Sequence, residues 1–463
     1  LGALAAFARA HRALSASEIV AHRAAFLVSA GACKIRSNAR QSFSAAAILP
    51  GIELRVGRNS NFRIGGPKLE AVPDLDLANP RSSANERLAL EPALGYPSRV
   101  EVDLGALAAN VRWIKSKAGG AAVMAVVKAN AYGHGAAAVA RTALQNGAEL
   151  LAAANVGEAL ELREAGIDAP ILILSYVADE AISLAIKHDL SLSVFDESSA
   201  ERIIAAACGA DATLKVHIKV DTGMGRLGAL PRAITAIGSQ LRDADEIVLE
   251  GVYTHFATAD DDLSFMNDQL HTFYGVLSRL RGSGIKAKFI HAANSAALLN
   301  GCGSVFSVVR PGVLLYGLEP MPDSGIAKCL KPVMSWKTQI AQVKSLPPGS
   351  PGGYGKSYRT RGRETLAVAP VGYADGLRRT PLSWREVLIR GRRAPIVGRV
   401  SMEKITVNVS KIPGARAGDE VVLLGPQGAD RISAEEIAAW IQSNNYEVVA
   451  SIAPRAPRCF VNL

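Results

Sequence analysis

The chain has 463 residues, 49% of them apolar and only 5% aromatic, with a formal net charge of +10. That length suggests two or three domains with sizeable cores, and the Ala- and Val-rich composition suits α/β packing. The five cysteines (Cys33, Cys208, Cys302, Cys329, Cys459) are odd in number and lack a C-x-x-C pair, so they imply neither a disulfide framework nor a metal site. Reduced thiols in a cytoplasmic protein are the expectation. No basic patch with interleaved aromatics points to a nucleic-acid partner, and no apolar run is long enough to cross a membrane.

Residues 1–96 read as an extension rather than a domain. The first fifty hold a single acid, Glu18, against Arg9, Arg12, Arg23, Arg36 and Arg40, with several serines. That composition resembles an organellar targeting segment; an over-extended gene start is the alternative. Prolines 67, 73, 80, 92 and 97 punctuate the approach to the folded region.

From Arg99 the texture changes. Val100 and Val102 alternate with polar residues. Asp103 then caps an amphipathic helix to about Lys117, with Leu104, Leu107, Val111 and Ile114 at helical spacing. Eight short apolar runs follow: 122–128, 150–154, 169–175, 190–194, 214–220, 247–255, 288–293 and 307–314. Helical patterns such as 157–165, 179–188, 197–208 and 262–281 lie between them. Eight strand–helix alternations predict an α/β fold, a (β/α)8 TIM-like barrel over 97–328, whose chemistry belongs at the carboxyl ends of its strands. Polar residues stand at those ends: Lys128, then Lys219 and Asp221, then His255, then Asn294 and Ser295, with Arg310 in the eighth run. Residues 329–463 read as a C-terminal β-rich domain. Its predicted strands are 336–343, 365–371, 386–389, 394–400, 405–409, 420–424 and 447–453, with one helix at 433–444.

The stretch from Val126 to Gly135 (Val-Val-Lys-Ala-Asn-Ala-Tyr-Gly-His-Gly) carries the most chemistry. An apolar strand delivers one amine, Lys128, to its mouth, and small and turn-forming residues follow at once. An amine in apolar surroundings loses affinity for its proton, which is the condition for a Schiff-base lysine. A lysine at a strand end reaching to solvent is the plain alternative.

These features together resemble alanine racemases, the two-domain fold-type III enzymes that use pyridoxal 5'-phosphate. The resemblance runs from about Pro97 to Val461. It rests on the Lys128 motif, on Lys219-Val220-Asp221-Thr222-Gly223-Met224-Gly225-Arg226-Leu227-Gly228, and on His255-Phe256-Ala257-Thr258-Ala259-Asp260. Asn294-Ser295, Arg310-Pro311-Gly312, Gly353-Tyr354-Gly355 and Gly372-Tyr373-Ala374-Asp375-Gly376 follow in the family's order.

The resemblance implies a homodimer with active sites shared between subunits. Lys128 would hold the cofactor and act as base on one face of the substrate α-carbon, and Tyr354 of a second subunit would act on the other. A free phenol ionises only near pH about 10, so nearby cations must favour the phenolate, and Arg226 and His255 are the family's candidates. Tyr132, Ser295 and the backbone of Gly312 and Val313 would hold the phosphate, beside Asn294. Arg310 would face the pyridine nitrogen, donating a hydrogen bond without leaving that nitrogen protonated. Lys219 matches the family's carbamylated lysine, which orients Arg226. Arg226 and Met402 would meet the substrate carboxylate, and Tyr373, Arg379 and Asp260 would line the substrate's passage. The implied role is interconversion of L- and D-alanine, supplying D-alanine for peptidoglycan.

Two departures stand out. Met402-Glu403-Lys404 replaces the family's Met-Asp-Gln, and Pro454 stands where the family commonly has Tyr. Loss of that ring predicts a wider pocket and some turnover of serine, so a broader-specificity amino-acid racemase on the same scaffold is the alternative.

Overall fold

The computed structural model describes residues 96–463 except 322–324, 326–328 and 381; the expectations for residues 1–95 lie outside it. The first described strand, β1 (Arg99–Asp103), leads directly into helix Leu104–Lys117. The Asp103 carboxylate accepts the Ala106 N–H at 2.7 Å, one of the donors a helix start leaves unpaired. Leu104, Leu107, Val111 and Ile114 face inward, as their spacing demands.

All eight predicted runs form parallel strands, each shorter than its apolar stretch. They are β2 (Ala122–Val126), β3 (Leu150–Ala153), β4 (Ile171–Ile173), β5 (Ser191–Val194), β6 (Leu214–Lys219), β7 (Ile247–Tyr253), β8 (Phe289–His291) and β9 (Val308–Val309). Pairing of β2 with β9 closes the barrel. Met124, Leu150, Leu172, Tyr253 and Val308 fill its interior, so it is a packed core. The helices pack outside on a second apolar layer through Ile182, Ile203, Ile237 and Phe273.

Downstream the chain is β-rich, as expected. The predicted strand 336–343 is two, Met334–Gln339 and Gln342–Leu346, and they join the others in one sheet. β1 also belongs to this sheet: it runs antiparallel to Met334–Gln339 and parallel to Arg458–Val461. The barrel is thus inserted between the first strand of that sheet and the rest.

The segment read as a last strand, 447–453, is instead helix Asn445–Ala450. The Asn444 side chain accepts the Glu447 N–H at 2.9 Å, and this cap outweighs the β-leaning Val448-Val449 pair. The closing strand is Arg458–Val461.

Candidate active site

At the carboxyl end of the barrel lies a cavity of about 710 Å³. Its walls bring together Lys128, Tyr132, Lys219, Arg226, His255, Asp260, Asn294, Ser295, Arg310, Gly312 and Val313, whereas Asp221 lies outside them, its carboxylate accepting the N–H groups of Gly223, Met224 and Gly225.

Lys128 follows β2 and opens a left-handed turn. Ala129, Asn130, Ala131 and Tyr132 all have φ between 51 and 53°. Four consecutive L-residues in that region cost on the order of 1–2 kcal/mol each. The turn is held by Ala131 N–H to Val127 O (2.7 Å), Gly133 N–H to Ala129 O (2.9 Å) and Gly135 N–H to Asn130 O (3.0 Å). Gly133 is required there: its φ is +80°, and a Cβ would lie 2.6 Å from the Val449 carbonyl oxygen. The turn swings Lys128 and Tyr132 to one side, with the amine 6.0 Å from the phenol ring centre. Burial pushes the Lys128 amine below the usual lysine range, Arg226 pushes the same way, and Glu158 opposes.

A small cradle sits at one end of the cavity. The Gly312 N–H donates to the Ser295 hydroxyl at 3.0 Å, and a Cβ on Gly312 would fall 2.7 Å from the Tyr132 hydroxyl. Hydroxyls and backbone N–H groups around a glycine are suited to a phosphate. Asn294 is committed to its own backbone: its side chain caps helix Ser295–Leu299 through the Ala297 N–H at 3.0 Å.

Arg310 stands elsewhere in the wall, 4% exposed. Its guanidinium donates to Thr254 O (2.7 Å), Ala292 O (3.1 Å), His291 Nδ1 (2.8 Å) and His255 Nδ1 (3.3 Å). Because Arg310 is the donor, His291 carries its proton on Nε2, which donates to His217 Nδ1 at 2.9 Å. His217 therefore presents Nε2–H toward Glu250 at 3.7 Å. Burial holds His217 below the usual histidine range and His291 well below it. Burial brings Arg310 itself down to about 10, which leaves it a cation at neutral pH. His255 is held well below its usual value, by burial first and then by Arg310 and Arg226. Of the two groups expected to supply positive charge, only Arg226 carries it. The Lys219 amine is lowered to about 8 by burial and by Arg226, Arg310 and Lys128.

Tyr354, Tyr373, Met402 and Arg379 are not in the cavity wall. Tyr354 is 65% exposed at the tip of the hairpin Pro351–Gly352/Tyr358–Arg359, and Met402 and Tyr373 are also exposed. Arg379 gathers the two phenols, lying 5.9 Å from the Tyr354 ring and 5.8 Å from that of Tyr373, while its guanidinium donates to Val400 O. The Tyr373 and Ala374 N–H groups donate to Ser401 O and Met402 O, which joins the Tyr373 turn to the Met402 turn.

This chain matches the alanine racemase N-terminal domain over residues 102–320 and the alanine racemase C-terminal domain over 333–460. The chain belongs to the alanine racemase family. It is 42% identical over 368 residues to the alanine racemase of Halothermothrix orenii, which covers 79% of this chain and 97% of that protein. The alanine racemase of Desulfovibrio desulfuricans is 41% identical, with 79% and 98% covered. Among solved structures, the Bacillus anthracis alanine racemase with bound L-Ala-P superposes with a TM-score of 0.73 at 41% identity, covering 79% of this chain and 95% of that one. The alanine racemase from D-cycloserine-producing Streptomyces lavendulae gives 0.76 at 35% identity, with 79% and 97% covered. The alanine racemase family consists of pyridoxal-phosphate-dependent isomerases.

Several residues of the cavity escaped the sequence reading. Tyr446, Glu447 and Ala450 line it from helix Asn445–Ala450, the segment misread as strand. Asn444 followed three residues later by Glu447 was the missed helix-start signal. Pro454 is exposed and outside the cavity wall. A different ring, Tyr446, lies in the wall 6.3 Å from Tyr132.

Proposed function

We propose that the protein is a pyridoxal-phosphate-dependent alanine racemase working as a homodimer, with Lys128 of one subunit and Tyr354 of the other as its two acid/base groups. The observation that carries this is a division of parts. The cavity holds an amine of lowered proton affinity, a phosphate cradle and a fixed guanidinium. The phenols expected to complete it stand together on an exposed face of the same chain, outside its own cavity. A second copy presenting that face to the first copy's barrel mouth completes both sites at once, as a two-fold dimer requires.

The residues present fit the cofactor. Tyr132, Ser295, Gly312 and Val313 would hold its phosphate, Lys128 its aldehyde carbon, and Arg310 its ring nitrogen. When bound, pyridoxal phosphate supplies an electron sink that makes the substrate α-proton removable. Arg310 is already held by two carbonyls and two neutral imidazoles, so it offers a hydrogen bond and keeps its own proton. Arg226 is the cation placed to meet a substrate carboxylate. Lys128 takes or returns a proton on one face of the α-carbon and the partner's Tyr354 on the other. A single base would mostly return the proton to the face it left. The lowered Lys219 amine is partly neutral near pH 8, the form that captures carbon dioxide, which favours a carbamate there; intact-mass analysis of the native protein reads that modification. Interconverted alanine would supply D-alanine to peptidoglycan.

The test is a coupled assay with each enantiomer of alanine and serine on the wild type, Lys128→Ala and Tyr354→Phe. Turnover of alanine in both directions, lost in both variants, supports the reading. A colourless protein that takes up no pyridoxal phosphate ends it.

A further inference from the structure

We infer that Glu158 is a positioning residue for the Lys128 amine, clamping the left-handed turn after Lys128 onto the neighbouring strand end. This rests on the reading of Lys128 as the cofactor-bearing amine.

Glu158 lies in the first turn of helix Val156–Glu164. Its own N–H is spent on the Asn155 cap, 3.0 Å away. Its carboxylate spans two adjacent barrel strands. One oxygen accepts the Ala129 N–H at 2.8 Å, just beyond the end of β2, and the other accepts the Ala154 N–H at 2.8 Å, just beyond the end of β3. The turn's internal ladder begins with the Ala131 N–H, so it leaves the Ala129 N–H to Glu158. Ala129 is also the first residue of the run at positive φ. A strained segment persists only where its surroundings over-determine it, and a charged acceptor gripping its first N–H does that. Ala129 and Ala154 both line the cavity beside Lys128, so the clamp sets where the amine enters it.

The carboxylate has a second, electrical consequence. A negative charge beside Lys128 favours the ammonium form, opposing burial and Arg226. Geometry and charge therefore have one source, and an uncharged replacement separates them. In Glu158→Gln the side chain keeps its length. The amide offers one acceptor oxygen where the carboxylate offered two, so one of the two N–H groups loses its partner. The charge is removed entirely.

Two measurements test this. The first is amide hydrogen exchange of cofactor-free wild type and Glu158→Gln. Protection at Ala129, Ala154 or both should fall about 10-fold or more, with the other barrel strands unchanged. The second is the rate of pyridoxal phosphate capture against pH. The neutral amine adds to the aldehyde carbon and the aldehyde oxygen leaves as water, so the rate follows deprotonation of Lys128. Removing the carboxylate lowers the proton affinity of that amine, so the midpoint of the profile should move to lower pH. Glu158→Asp, which keeps the charge but is one methylene shorter, should move the midpoint less than Glu158→Gln. Unchanged exchange at both amides overturns the clamp. Altered exchange with an unmoved midpoint reduces Glu158 to a structural tether and also overturns the inference. If the wild type itself captures no pyridoxal phosphate, the functional reading fails, while the exchange comparison still judges Glu158 by itself.

Discussion

The barrel mouth and the exposed face around Tyr354 are opposites in construction. The mouth is assembled from residues scattered between Val126 and Ala450 and drawn into one wall, several of them deeply buried and with shifted proton affinities. The face holds Tyr354, Tyr373 and Met402 in short turns, exposed and linked chiefly through Arg379 and backbone hydrogen bonds. One region holds its geometry within a single chain; the other offers side chains that stand outside that cavity. The contrast teaches that one chain assembles the cavity by itself and leaves Tyr354 and Tyr373 outside it, the division on which the proposed shared site rests.

The severest way to break that contrast is Lys128→Ala, expected to lower racemisation in both directions by about 10⁴-fold or more while the variant still dimerises. Equal rates for variant and wild type in the coupled assay would remove the mouth from the chemistry. Tyr354→Phe is next: a fall of about 10²–10⁴-fold, with pyridoxal phosphate uptake intact. Isotope washout from L- and D-alanine should become unequal, since only one face loses its base.

Mixing the two inactive variants sharpens the comparison. If Tyr354 serves the neighbouring subunit, random re-pairing of a two-fold dimer yields hybrids with one whole site, and about a quarter of wild-type activity returns. If both groups act within one chain, nothing returns. A smaller effect is expected at the phosphate cradle. Gly312→Ala places a methyl against the Tyr132 hydroxyl and should weaken pyridoxal phosphate binding about 10-fold, read by equilibrium titration.

The last prediction concerns stability. His134 donates from Nδ1 to Ala131 O and Tyr132 O, both at 3.0 Å, and burial brings its proton affinity down to about 4. The unfolded chain takes up a proton there near pH 6.5, so stability falls as pH drops from about 6.5 to about 4, by roughly 3 kcal/mol at most. Denaturant unfolding at pH 7 and pH 5 should show that fall, and His134→Asn should flatten it.

The barrel strands were legible because each is a buried apolar run bounded by turn residues, as in Ala122–Val126. The barrel part of the site was legible because polar residues such as Lys219 and His255 end those runs. The helix Asn445–Ala450 was missed because Val448 and Val449 favour strands locally, while the Asn444 cap and burial against the cavity decide otherwise. That error hid the cavity-lining role of Glu447 and Ala450, and Tyr446 stood in the gap before the expected strand. Glu158 was invisible for another reason: its importance lies in two N–H groups from different strands, a juxtaposition with no sequence period. Nor does spacing reveal that β1 pairs with the far end of the chain.

That pairing has a consequence for how the protein is made. On the ribosome, residues 99–103 emerge with no sheet to join until residue 334 has been added, roughly 10 to 50 s later at ordinary elongation rates. Their second neighbour, Arg458–Val461, lies at the very end of the described chain. Removing residues 458–461 would therefore expose an edge of strand 99–103 as well, and cutting the barrel out alone would leave strand 99–103 orphaned.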